Sequence, residues 1–177
     1  MIKIYFLAFA SMLFCQISFA NPGVEIDIKL SPAGSFKAKT TKIKGLAKQS
    51  DGAVVSNQVI IDLRTLKTGI ELRDNHLKKR LLVDKHPIAK LLSAKGKNGK
   101  GEAMISIMGK EHKISGTYKT KGKFLVSEFK MSLSTLGIDD VNYMGVGVKD
   151  EVLVKVTVPV VEVDKTAQRS LSSEAGK

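Results

Sequence analysis

Apolar and polar side chains alternate along most of the chain that follows residue 20. In the stretch VEIDIKL, Val24, Ile26 and Ile28 share one face, and charged residues occupy the opposite face. Successive side chains of a β-strand point to opposite faces of a sheet, so this pattern predicts half-buried strands. The same alternation recurs in GSFKAKTTKIKG, VVSNQVIIDL, EFKMSL and EVLVKVTVPVVEV. We therefore predict an all-β domain of about eight strands.

Short polar segments separate these stretches and carry the residues that tight turns need. SPAG, QSDGA, GKNGKG and KTKGK all contain glycine, which adopts positive backbone φ angles without a steric cost. Short turns with little helix predict either a sandwich or a closed barrel. Closure into a barrel removes unpaired strand edges, and the sequence pattern shows no other feature that would protect such an edge. An antiparallel β-barrel is therefore the favoured architecture.

One segment, TGIELRDNHLKKRLLVDKHP, which begins at Thr68, interrupts the alternation and predicts one short helix after the Thr68–Leu72 region. Aspartate is a good N-cap residue, so we expect the helix to run from Asp74 to about Leu82. Leu77 and Leu81 are four residues apart and share one helical face. The proline at the end of the segment disfavours helical backbone before it and returns the chain to a strand.

The first twenty residues, MIKIYFLAFASMLFCQISFA, have the pattern of a secretory signal peptide. A lysine near the start precedes an apolar run, and the small residues Ser18 and Ala20 flank the last phenylalanine. The apolar run is shorter than the ~20 residues that span a bilayer. We expect cleavage after Ala20, a periplasmic domain over residues 21–164 and a disordered polar tail over residues 165–177.

Export would change both the charge and the cysteine content of the chain. The formal net charge of +12 falls to +11 in the mature protein because Lys3 is the one charged residue removed. The single cysteine, Cys15, is also lost, which leaves no disulfide and no thiolate nucleophile. A basic exported protein is attracted to anionic lipid headgroups, so transient contact with a membrane surface is expected.

The residue types that carry chemistry do not form a recognisable catalytic or metal-binding pattern. His76, His86 and His112 lack the spacing of zinc ligands, and no serine lies in a GxSxG motif. MGVGVKDEV is not a dinucleotide-binding motif. The lysine-rich turns have too few aromatic neighbours for a single-strand nucleic-acid site. We predict no catalytic residue, no metal, no cofactor and no nucleic-acid partner.

Two parts of the chain carry motifs of a known family. The C-terminal part is FKMSLSTLGI followed by VGVKDEVLVKVTVPV. The other part is a central motif, whose matching residues are Thr68, Gly69, Arg73, Asp74, His76, Leu77, Asp84 and Pro87. With these motifs the chain resembles the YceI-like, polyisoprenoid-binding periplasmic family, and the likeness extends from about Leu30 to Val163. The resemblance implies a lipocalin-like antiparallel β-barrel with a hydrophobic tunnel. The chain departs from the family at Leu81, Leu82 and Val83, where an aromatic pair is usual.

The resemblance also implies a function, namely a carrier that holds the apolar tail of an isoprenoid or similar long-chain amphiphile. The residues expected to line the tunnel and bind the ligand are Phe36, Ile61, Leu63, Leu82, Phe129, Met131, Val154 and Val156. A structural role is expected for the central motif. Two alternatives stay open: an enzyme or accessory factor acting on lipids or isoprenoid quinones, and a non-catalytic stress or interaction protein with a filled core. An exposed barrel edge or tunnel mouth would also allow a homodimer.

Overall fold

The computed structural model describes residues 21–139, 141–143 and 145–163, and its regular structure is mostly β. The predicted signal peptide and the predicted tail lie outside the described residues. The strands are β1 Gly23–Ser31, β2 Ser35–Thr40, β3 Ile43–Lys44, β4 Ala47–Ser50, β5 Ala53–Ser56, β6 Val59–Asp62, β7 Ile88–Lys97, β8 Lys100–Ile107, β9 Lys110–Lys121, β10 Phe124–Ser132, β11 Asn142–Tyr143, β12 Val146–Val148 and β13 Glu151–Glu162. Helix α1 spans Glu71–Arg80, and single 3-10 turns cover Leu63–Thr65 and Ser134–Leu136.

Seven strands form a closed ring, which confirms the predicted barrel. The order around the ring is β10, β9, β8, β7, β5, β4 and β13, and pairing of β10 with β13 closes it. The closing pair is antiparallel and continuous from Phe124 opposite Pro159 to Ser132 opposite Glu151. One pair in the ring departs from the predicted antiparallel pattern, because β13 and β4 run parallel from Val160 opposite Ala47.

The remaining strands extend the wall of the barrel at one end. β1 pairs with β13, and β2 pairs with β1, so the first hairpin lies against the last strand. β6 pairs with β7, and β3 pairs with β6, on the other side of the same end. A backbone bridge between Lys39 and Lys67 ties β2 to the segment that leads into α1. Together these strands surround the space that α1 faces.

An irregularity in β7 changes which residues face the interior. The pairing of β7 with β8 passes from Leu91 opposite Ile105 to Ser93 opposite Met104, so Leu92 is an extra residue. One extra residue reverses the alternation of side chains from that point onward. Ala89 and Leu91 therefore face the same side of the sheet as Ala94, although the spacing between Leu91 and Ala94 is odd.

Helix α1 is present near the expected place, but the expected N-cap is wrong. The helix starts at Glu71 rather than at Asp74, and the cap residue, Ile70, makes no capping hydrogen bond through its side chain. Asp74 is only 3% exposed, and its side chain accepts its hydrogen bonds from Thr68, which lies before the helix. The helix ends at Arg80, two residues before the expected end. No helix within the described residues is long and apolar enough to span a bilayer.

Candidate ligand-binding site inside the barrel

The interior of the barrel is open rather than filled, which argues against the alternative of a solid core. A cavity of about 1390 Å³ lies between two groups of buried side chains. One group surrounds Ala38, Leu66 and Val152 near α1, and the other surrounds Ala47 and Leu125 at the opposite end. The volume exceeds the roughly 300–1,000 Å³ typical of sites for drug-sized ligands.

The structure places all eight predicted lining residues on the wall of this cavity. They come from six segments: β2, β6, the 3-10 turn after β6, the turn after α1, β10 and β13. Val154 is buried and Val156 is half-buried, so the alternation of β13 directs both side chains inward. Leu82 differs because it lies in the turn after α1 and is 44% exposed. Contact of these residues with a ligand stays a prediction.

Strands β7, β8 and β9 contribute a part of the wall that the sequence reasoning missed. Their inward residues are mostly small or aliphatic, and they include Ala89, Leu91, Ala94, Gly96, Gly101, Ala103, Ile105, Ile107, Ile114, Gly116 and Tyr118. Lysine-rich turns dominate this part of the sequence and obscure the alternation. The signal was nevertheless present, because Ala103, Ile105 and Ile107 recur at every second position.

One end of the cavity opens to solvent beside α1, and we call this end the helix mouth. Four apolar residues that line it are exposed by 42% or more, which is unusual for the wall of a closed core; they are Ile70, Leu72, Leu82 and Val146. Exposed apolar side chains that border a cavity are typical of an entrance for an apolar ligand.

The central motif forms a compact hydrogen-bonded turn next to the helix mouth. Thr68 donates to Asp74 Oδ1 from both its backbone N and its hydroxyl, each at 2.6 Å, and Lys67 Nζ lies 3.4 Å from Asp74 Oδ2. The Thr68 hydroxyl, its backbone N–H and the Lys67 ammonium together lower the pKa of Asp74. Gly69 turns the chain into the helix with a φ of 86°, which strongly favours glycine. The structural role expected for Thr68, Gly69 and Asp74 thus has a direct geometric basis.

The other motif residues are divided between the cavity and the barrel wall. Arg73 lines the cavity, and its guanidinium carbon lies 4.1 Å from the centre of the Phe36 ring. His76 and Leu77 also line the cavity, and Leu77 packs against the buried residues around α1. The carbonyl of Pro87 accepts a hydrogen bond from Leu63 N at 2.9 Å, which joins the segment after the helix to the wall.

Tyr118 lies across the end of the cavity opposite the helix mouth. Its hydroxyl donates to the carbonyl of Gly52, in the turn between β4 and β5, at 3.3 Å. Its ring also contacts the backbone of Gly96, two strands away in the sheet. Three glycines stand side by side across β7, β8 and β9, since Gly96 is opposite Gly101 and Gly101 is opposite Gly116. The absence of Cβ atoms gives the ring space to lie against the sheet.

The titratable groups near the cavity are not arranged like a catalytic pair. Within residues 21–139, 141–143 and 145–163, no histidine side chain hydrogen-bonds a carboxylate. His76 is exposed, His86 packs against Gly109, and the buried Nε2 atom of His112 has no hydrogen-bond partner. No group of three or more histidine, cysteine or acidic side chains in the same residues is placed to hold a metal ion.

Comparisons with protein families and with solved structures agree with the barrel fold described above. The model of the YceI-like domain family matches residues 17–160. No curated protein matches the sequence significantly. The crystal structure of BcnA from Burkholderia cenocepacia superposes with a TM-score of 0.58 at 15% identity, over 76% of this chain and 93% of that chain.

Two further solved structures share the architecture at low sequence identity. The YCEI protein of Campylobacter jejuni has a TM-score of 0.54 at 17% identity, over 92% of this chain and 100% of that chain. A polyisoprenoid binding domain from Saccharophagus degradans, implicated in plant cell wall breakdown, has a TM-score of 0.51 at 11% identity. That match covers 76% of this chain and 90% of that domain. These similarities establish a common fold.

Proposed function

Because the chain belongs to the YceI-like domain family, we propose that it is an exported carrier for a long-chain amphiphile. The barrel would hold the apolar tail of an isoprenoid or a similar chain. The observation that carries this proposal is the cavity of about 1390 Å³, whose wall consists mainly of valine, isoleucine, leucine, methionine and phenylalanine. The polyisoprenoid binding domain with the same fold supports an isoprenoid as one suitable ligand.

The shape and chemistry of the cavity suit a chain better than a compact molecule. The inward residues of β13 run from Val152 to Val158, and six residue steps of roughly 3.3 Å give a wall roughly 20 Å long. Each methylene removed from water along such a wall contributes ~0.8 kcal/mol. A tail several isoprene units long would therefore bind mainly through the hydrophobic effect, while its polar end stays at the helix mouth.

Export is part of this proposal and rests on the N-terminal sequence. A carrier that shields an apolar tail is needed where amphiphiles must cross an aqueous compartment between membranes. The excess of basic residues, which leaves a net charge of +11 once Lys3 is removed, would attract the mature protein to anionic membrane surfaces during loading. We expect sedimentation with anionic vesicles to weaken as salt shortens the Debye length from about 10 Å at 0.1 M to about 3 Å at 1 M. Binding that does not change with salt would remove the electrostatic docking step.

Filling the cavity tests the carrier directly. Ala103 faces the interior, and Ser115 on the next strand is exposed on the outer surface. Ala103→Phe should exclude geranylgeraniol, whereas the matched control Ser115→Phe should bind it as the wild type does. Native mass spectrometry after incubation measures the bound fraction, and thermal melting checks the fold of both variants. Equal binding of geranylgeraniol by both folded variants would show that the tail lies elsewhere.

A further inference from the structure

The exposed apolar side chains of the helix mouth come from three separate segments of the chain. Ile70 and Leu72 lie at the start of α1, Leu82 follows the end of the helix, and Val146 begins β12. We call these four residues the apolar rim. Leu72 is the most exposed of them, at 62%. Several apolar side chains exposed around one opening indicate a surface that meets an apolar partner.

Exposed apolar residues on the outer wall of the barrel have a different setting. Val55 on β5 lies between Lys48 on β4 and Lys95 on β7, and Val161 on β13 lies beside Lys48. Lysine side chains extend along such neighbours and keep their charged ends in water. At these positions the apolar surface is divided into single residues, whereas the apolar rim borders the cavity.

Basic side chains accompany the apolar rim. Residues 71–85 contain five lysine and arginine residues against three acids, and one of these acids, Asp74, is buried inside the central motif. Lys79, Arg80 and Lys85 are exposed, and none of them forms an ion pair within the described part of the chain. Basic residues beside an exposed apolar surface are typical of segments that bind the interface of an anionic bilayer.

The solubility of a long-chain ligand favours direct contact between the mouth and a bilayer. Each methylene of a tail that passes from a bilayer into water lowers the equilibrium constant about fourfold. A tail of several isoprene units would therefore rarely cross water as a free molecule. A barrel whose opening lies against the lipid surface lets the tail pass between bilayer and cavity without this exposure.

We propose that the helix mouth docks directly on a lipid bilayer that contains anionic lipids. This inference rests on the proposed carrier function and names the partner with which the mouth exchanges its ligand. The apolar rim enters the boundary between headgroups and acyl chains, and the cations Lys79, Arg80 and Lys85 contact the anionic headgroups. The opposite end of the barrel, with Tyr118, faces away from the membrane.

The chain contains no tryptophan, so a single introduced tryptophan reports on its own position. Leu72→Trp places this reporter in the apolar rim, and Val55→Trp, at an exposed residue of the outer wall, is the matched control. With phosphatidylcholine vesicles that contain phosphatidylglycerol, the emission of Leu72→Trp should shift to the blue, and brominated acyl chains should quench it about twofold or more. The emission of Val55→Trp should not change.

Two charge-matched variants test whether the apolar rim supplies affinity. Leu72→Asp should weaken sedimentation with the same vesicles about tenfold or more, because a charge replaces an inserted leucine. Val55→Asp adds the same charge to the outer wall and should weaken it less than about threefold. If Leu72→Asp does not fold, Ile70→Asp provides the second variant of the rim and should show the same loss.

The outcomes separate docking from the carrier function, because the vesicles contain no prenyl compound. Unchanged emission of Leu72→Trp in protein that sediments with the vesicles would overturn docking through the mouth, as would a blue shift of Val55→Trp. Equal weakening in the two aspartate variants, or a wild type that does not bind the vesicles, would also overturn it. Insertion of the rim by a barrel that binds no geranylgeraniol would refute the carrier and support the docking surface.

Discussion

The ring of Tyr118 on β9 contacts the backbone of Gly96 on β7 more closely than any Cβ atom at residue 96 would permit. The contact spans β8, and it is possible because a glycine also occupies the facing position of that strand, Gly101. Together with the hydrogen bond to the Gly52 carbonyl, it holds Tyr118 across the end of the cavity opposite the helix mouth. The depth of the cavity at this end thus depends on one aromatic side chain and on the glycine beneath it.

The contact between Tyr118 and Gly96 predicts a specific coupling between substitutions. Gly96→Ala should lower the free energy of unfolding by about 1–3 kcal/mol, because the added methyl group overlaps the ring. In the background of Tyr118→Ala the same substitution should cost little. Denaturant melts of the four proteins in this double-mutant cycle measure the coupling. Additive effects would contradict the proposed contact.

Removal of the Tyr118 ring should also change the length of chain that the barrel accepts. Tyr118→Ala opens the distal end of the cavity, so longer polyprenols should become the preferred ligands. Tyr118→Phe keeps the ring and loses only the hydroxyl, so it should retain the length preference of the wild type. Competition among prenols of increasing length, read by native mass spectrometry, checks both variants. An unchanged length preference in Tyr118→Ala would show that the tail does not reach this end.

Leu82 combines an unfavourable backbone with an exposed apolar side chain, and the proposed carrier function predicts that this side chain contributes to binding rather than to stability. Its φ is 50°, in the left-handed region, which costs a non-glycine residue roughly 1–2 kcal/mol. Leu82→Gly should therefore raise the free energy of unfolding by about 0.5–1 kcal/mol, after allowance for the entropy of glycine in the unfolded chain. It should also weaken binding of geranylgeraniol several-fold, because apolar contact at the helix mouth is lost.

The matched control for Leu82 is Gln58, whose φ is 57° but which does not line the cavity. Gln58→Gly should stabilise the fold to a similar extent and leave the affinity for geranylgeraniol unchanged. Calorimetric melting and binding titrations on the same preparations give both quantities. If Leu82→Gly were less stable than the wild type and bound geranylgeraniol with normal affinity, Leu82 would have a role in stability rather than in binding.

Asp74 should make the stability of the central motif depend on pH. Hydrogen bonds from Thr68, followed by the nearby Lys67, lower the pKa of Asp74 below its ordinary value of 3.8. A carboxylate with a lowered pKa in the folded state stabilises the fold above its ordinary pKa, and that stabilisation is lost as the pH falls through the lowered value. The stability difference between wild type and Asp74→Asn should therefore be largest near neutral pH and shrink below about pH 4. Urea melts at several pH values measure this stability difference. A difference that does not change with pH would contradict the hydrogen bonds from Thr68 to an ionised Asp74.

Glu25 provides a second acid-sensitive contact, on the outer face of the first hairpin. Lys37 and Lys39 lie 2.6 Å and 2.8 Å from its two carboxylate oxygens and lower its pKa to about 2 from 4.5. The lysine side chains of both ion pairs are solvent-exposed, so Glu25→Gln should lower the free energy of unfolding by less than about 1 kcal/mol at pH 7. The cost should decline as the pH falls from 4.5 toward 2 and should be smaller at high salt. A loss of stability that persists at pH 2 would indicate packing rather than charge.

The period of the alternation explains which features were predictable. Side chains in a strand alternate strictly, so Val154, Val156, Phe129 and Met131 could be assigned to the interior before the cavity was known. The same rule could not place the residues after Leu91, because an extra residue there shifts the alternation without a distinctive sequence signal. Where the barrel closes depends on pairing between strands that are distant in sequence, and the parallel pairing of β13 with β4 has no local signature.

The error at Asp74 has a similar physical origin. An aspartate that accepts hydrogen bonds near a helix start is expected as an N-cap, and the sequence alone does not specify which donors it meets. The donors are Thr68 N–H and hydroxyl, and they reach Asp74 because Gly69 reverses the chain between them.

The central claim is that the cavity holds the tail of a long-chain amphiphile in the native compartment. The most direct measurement is native mass spectrometry of the protein purified from that compartment without added lipid, followed by identification of any released molecule. The carrier account predicts one bound long-chain molecule per barrel, which is absent from a folded Ala103→Phe variant prepared in the same way. A wild-type protein that is recovered empty, and that stays empty when offered prenyl chains, would contradict it.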